Sequence, residues 1–179
     1  CPTCGGWRLR ERGIGIQQVY DECVSRFPGA TVLLFDNTTA TTSQKATKII
    51  ERFYAEKGAI LVGTAMAMPY LGNGLDLSAI ISLDATRTIP TWRADEWVFQ
   101  FLLHLRELTR RDVIVQTRTD EDNLLIYASR GALERFYDDE IDLRRQLSYP
   151  PFATLILCTW QGPTSTIKNL DEAIKLATA

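Results

Sequence analysis

The stretch CPTCGG places Cys1 and Cys4 with two residues between them and Gly5-Gly6 behind them. A single turn of chain then aims two thiolates at one metal ion, the layout of a zinc knuckle. A structural zinc ion takes four ligands, and the other cysteines do not present themselves as the missing pair. Cys23 and Cys158 each fall inside an apolar periodic segment and read as small buried hydrophobes. The one histidine, His104, lies within FQFLLHLREL and reads as a half-buried helix residue rather than a ligand. Four cysteines spaced in this way do not make a disulfide framework.

The second kind of chemistry open to these residues is contact with phosphate. Net charge is −2, so there is no global basic footprint, and nucleic-acid binding has to come from local patches. Arg8, Arg10 and Arg12 follow the knuckle, and Arg106, Arg110 and Arg111 form a second group. Gly63-Thr64 leaves an apolar run and offers a hydroxyl and backbone N–H groups to a phosphate, although a plain strand-to-loop turn has the same sequence. There is no G-x-x-x-x-G-K-[ST] loop and no G-x-G-x-x-G fingerprint, and a single histidine leaves no Ser, His and acid set.

The elements that must position these groups alternate in period. QQVYDECVSRF spaces Val19, Cys23 and Phe27 four apart and stops at Pro28-Gly29, which predicts a helix. ATVLLF is a short buried strand. TSQKATKIIERFYAEK is a helix with a Ser or Thr N-cap and Gly58 as its stop. AILVG is a second strand, LSAIISLD a third and DVIVQT a fourth. RADEWVFQFLLHLRELTRR between the last two is a long helix, acidic in its first turn and basic in its last. Continuous apolar strands alternating with amphipathic helices predict a doubly wound α/β domain over residues 13–118, its parallel sheet covered on both faces. Beyond it, NLLIYASRGALERFYDDEIDLRRQL is helical with a break at Gly131, YPPF ends the helix, ATLILCTW is one more strand, and TSTIKNLDEAIKLATA is a last amphipathic helix. With 179 residues, 45% of them hydrophobic, the chain can bury roughly 70% of the surface its unfolded form exposes. No run has the length of a membrane span and no signal peptide opens the chain, so a cytoplasmic protein is expected.

FYDDEIDLRRQLSYPPF, Phe136 to Phe152, resembles the passage into the C-terminal domain of the primosomal protein N′ (PriA) family of replication-restart helicases. CPTCGG is similar to the last knuckle of that family's inserted zinc module, and Gly15 to Val19, FPGA and a strand ending in Asp36 follow in the family's order. ILVGT resembles the start of helicase motif V, Gly74 to Asp76 its end, and PTWRADEWVFQFLL the approach to motif VI. The resemblance covers essentially the whole chain.

It implies a RecA-like second helicase lobe over residues 13–118, preceded by a remnant of the zinc module at 1–12. A helical linker at 119–150 and the start of a truncated α+β C-terminal domain at 151–179 would follow. The implied parent is an ATP-dependent 3′-5′ DNA helicase that restarts replication at stalled forks, with zinc, ATP and magnesium as its cofactors. Forked or single-stranded DNA, primosome proteins and single-strand-binding proteins would be its partners. By the same resemblance Gly74 and Asp76 face ATP and Cys1 and Cys4 hold zinc in the parent. Two thiolates alone make a poor zinc site, so these two are expected to be metal-free in this chain. Gly63, Thr64, Arg8 and Arg10 are the candidate DNA contacts. The phosphate loop belongs to the family's first lobe, so this chain alone is expected not to hydrolyse ATP.

Motif VI departs from the family's Q-V-x-G-R-A-G-R. In HLRELTRR, His104 stands for the Gln, Leu108 for the first Arg and Arg111 for the last, both glycines are gone, and residues after the motif are deleted. In motif V, Ala65 stands for a Gln and Asn73 for a Lys. Arg110 or Arg111 can serve as an arginine finger, or simply complement a helix C-terminus. The difference is large, since a finger is worth roughly 10³ to 10⁵ in rate. Three readings stay open: a motor lobe, a PriA-like DNA- and primosome-binding module with weak or absent ATPase, and an unrelated α/β protein whose two leading cysteines are reduced thiols.

Overall fold

A computed structural model describes residues 15–72, 74–87, 91–119 and 122–157. The chain divides into two compact units, Cys1–Leu133 and Glu134–Ala179. The boundary falls inside the 119–150 segment expected as a linker.

The first unit opens with helix α1 (Ile16–Arg26), strand β1 (Val32–Phe35), helix α2 (Ser43–Ala55) and strand β2 (Ile60–Gly63). The β1 and β2 strands are parallel, with Val32 beside Ile60 and Phe35 beside Gly63. The α2 helix starts where expected because the Thr42 hydroxyl accepts the Lys45 N–H at 3.3 Å. After β2 come a 3-10 helix (Ala65–Tyr70), strand β3 (Leu75–Ile80), helices α3 (Leu83–Arg87) and α4 (Ala94–Leu108), strand β4 (Thr109–Val115) and helix α5 (Asn123–Arg130). The β3 and β4 strands are again parallel.

Four parallel strands were expected to form one doubly wound sheet. Among the described residues they form two two-stranded sheets, β1-β2 and β3-β4. An apolar run states that a strand is covered; it does not state which backbone lies beside it. The two pairs are joined through side chains instead. Ala46 and Ile50 of α2 pack with Phe35 and Ala67, while Phe53, one turn on, packs with Leu75, Leu105 and Leu108. Leu71 touches both groups. Phe35, Leu83, Val98 and Phe99 are fully buried, each contributing about 1.5–3 kcal/mol of transfer free energy.

The expected helix through Arg111 ends at Leu108, and Thr109 already belongs to β4. Thr109 donates its hydroxyl to the Leu105 carbonyl at 2.6 Å and shares a 2.7 Å hydrogen bond with Ser78 of β3. Pairing with β3 and the β-branched run from Val113 to Val115 win over the helix dipole preference of the two arginines. The buried stripe of α4 is Val98, Phe99, Leu102, Leu105 and Leu108, which leaves His104 on the outward side, exposed rather than half-buried. Cys23 is a free thiol, half-buried rather than enclosed, and Cys158 lies outside the described residues.

The break at Gly131 is present. Gly131 adopts φ +67°, and the Ala132 N–H reaches back to the Tyr127 carbonyl at 2.9 Å, closing α5 in a Schellman arrangement. Helix α6 (Leu133–Gln146) follows. In the second unit Arg144 holds Glu140 at 2.7 Å, and the Arg145 guanidinium sits 4.7 Å from the centre of the Phe152 ring. The expected strand ATLILCTW is not paired over its described part: Ala153 to Leu157 carries no ladder, and Leu157 is 92% exposed. The last amphipathic helix lies outside the described residues. Among those residues no helix is long and apolar enough to cross a membrane.

Candidate functional site

The sequence-predicted groups fall at two strand ends. At the carboxyl end of β1-β2 are Gly63, Thr64 and, opposite them, Asp36. A Cβ on Gly63 would come 3.2 Å from the Phe35 carbonyl oxygen, so the strand end admits no side chain there without a shift. Thr64 is exposed, its N–H donates to the Phe35 oxygen at 3.4 Å, and its hydroxyl makes no capping hydrogen bond to the 3-10 helix that follows. Asp36 organises the turn after β1. Its Oδ1 accepts the N–H groups of Thr38 and Thr39 at 2.9 and 2.8 Å and their hydroxyls at 2.7 and 3.0 Å. The Thr38 hydroxyl leads in holding the Asp36 carboxyl below the usual carboxylate range, followed by the Thr39 N–H.

At the amino end of β3-β4 are Gly74, Asp76, Arg110 and Arg111. Leu75 pairs with Thr109 and Leu77 with Asp112, so Asp76 alone stands opposite both Arg110 and Arg111. This is a bulge in a parallel ladder, a device that bends a strand locally and re-aims its side chains. Gly74 donates its N–H to the Leu108 carbonyl at 3.1 Å and has φ +116°, a conformation that suits glycine. The Arg110 guanidinium lies across it: a Cβ at Gly74 would come 2.9 Å from Nη2. The structure thus brings together the two residues expected to face a nucleotide and the two candidate arginines. It sets Gly63 and Thr64 at the end of a different sheet.

Arg8, Arg10, Cys1 and Cys4 lie outside the described residues. Among those residues no group of three or more His, Cys, Asp or Glu side chains could hold a metal ion.

Sequence reading missed an ion-pair hub at the carboxyl end of β3-β4. Arg87 on α3 grips Asp95 of α4 through Nε and Nη2 at 2.8 and 3.0 Å, while Nη1 donates to Asp122. Asp122 is buried and caps α5 by accepting the Leu124 N–H at 3.0 Å. Hydrogen bonding to Asp95 leads in raising the Arg87 pKa against its burial. Nearby, burial pushes the Asp84 carboxyl upward, but the Arg118 N–H and the Thr117 hydroxyl outweigh it and leave it below the usual range. An Asp directly before an apolar helical run, as in DNLLIY, was the available signal. Arg106 was also missed as a cap: its Nη1 reaches the Ala128 carbonyl near the end of α5 at 3.4 Å.

No family model matches the chain. Among curated proteins it is similar to replication restart protein PriA of Bacillus subtilis, with 32% identity over 169 residues, 89% of this chain and 20% of that protein. PriA of Chlamydia trachomatis is 30% identical over 181 residues, 96% of this chain and 24% of that protein. PriA of Thermotoga maritima is 28% identical over 165 residues, 87% of this chain and 22% of that protein. The chain therefore spans less than a quarter of the length of these relatives.

Proposed function

This chain matches a fragment of replication restart protein PriA, and on that premise we propose that it is the second motor lobe of a PriA-like protein that acts on forked or single-stranded DNA and couples this to ATP. The observation that supports the reading is the bulge, which sets Arg110 and Arg111 opposite Asp76 in the ladder, with the Arg110 guanidinium next to Gly74.

In this reading the β3-β4 end faces the nucleotide. Gly74 and Asp76 contact it, and an arginine from β4 neutralises charge on the γ-phosphate, the role that preorganised cations play in phosphoryl transfer. Magnesium bound to ATP supplies further charge neutralisation. The exposed Thr64 hydroxyl and the backbone after Gly63 face a DNA phosphate, with Arg8 and Arg10 adding charge to the same backbone contact. Cys1 and Cys4 supply two of four ligands to a structural zinc, the other two coming from elsewhere in the complete protein. Primosome and single-strand-binding proteins are the partners of the whole assembly.

A second reading, DNA and primosome binding without ATP turnover, is favoured by one observation: α4 passes into β4 with no residue between Leu108 and Thr109, so no loop is available to carry an arginine across a cleft. ATP hydrolysis by the complete protein, with and without forked DNA, tests both. DNA-stimulated turnover supports the first reading, fork binding without turnover the second, and neither binding nor turnover overturns both.

A further inference from the structure

We draw no further inference here: the strongest candidate, the open groove between α2 and the 3-10 helix lined by Ile50, Glu51, Tyr54 and Tyr70, is an unpartnered and largely apolar surface, and nothing in the structure shows what covers it.

Discussion

The Arg110 guanidinium lies across Gly74, with Nη2 2.9 Å from the position a Gly74 Cβ would take. A side chain at Gly74 therefore meets the strain of φ +116°, the larger penalty, and must push the far end of the exposed Arg110 side chain aside, the smaller one. Gly74→Ala should destabilise this chain by about 1–3 kcal/mol. Arg110→Ala added to it should recover the share due to displacement and leave the strain. Urea denaturation of the three variants measures both shares, and an unchanged midpoint in Gly74→Ala would contradict the assignment.

Arg87 ties three helices through two carboxylates. Its arm to Asp95 is partly exposed and worth little, but Asp122 is buried and would lose its charged partner. Arg87→Ala should cost roughly 2–4 kcal/mol, and Arg87→Lys less, since an ammonium keeps the charge without the fork. Hydrogen exchange should show the loss first in α5, whose N-cap is Asp122. Uniform exchange across the unit would argue against the hub.

Asp36 gives stability a pH dependence of known sign. Its folded carboxyl lies below the usual range because Thr38 and Thr39 donate to the charged form. The stabilisation is therefore present above the carboxylate value of the unfolded chain and is lost as pH falls through the folded one. Asp36→Asn should flatten that part of the acid limb in a thermal melt series. The Glu56 carboxyl, lowered first by the Thr31 hydroxyl and then by Arg52, and Asp84 shift the same way, so part of the acid limb should remain.

DNA affinity separates contact types. Thr64→Ala should weaken forked-DNA binding at every salt concentration, whereas Arg10→Ala should also reduce the slope of log affinity against log salt by about 1. Fluorescence anisotropy across a salt series reads both. Unchanged affinity in both variants would remove the DNA face from the account.

Much of the first unit was legible because its signals are local. Thr42 and Gly131 sit where capping chemistry requires, and the periodic apolar runs located the helices α2 and α4 themselves. What failed was non-local. Nothing in VLLF or ILVG says that, among the described residues, their sheet has two strands, and nothing in LTRRD says that Thr109 will pair with Leu75 and end the helix early. For the candidate site, the residue types were legible but their grouping was not: the bulge that sets Asp76 against two arginines exists only in the pairing of β3 with β4. The Arg87 hub joins residues up to 35 positions apart, a separation that short-range patterns do not encode.

The central claim is that the β3-β4 end faces ATP through Arg110. Steady-state ATP hydrolysis by the complete protein, wild type against Arg110→Ala, with saturating forked DNA, tests it most directly. The account predicts DNA-stimulated turnover that falls at least about 10³-fold in the variant, the lower bound for losing an arginine that stabilises phosphoryl transfer. Turnover in Arg110→Ala equal to wild type, or none in either protein, would contradict it.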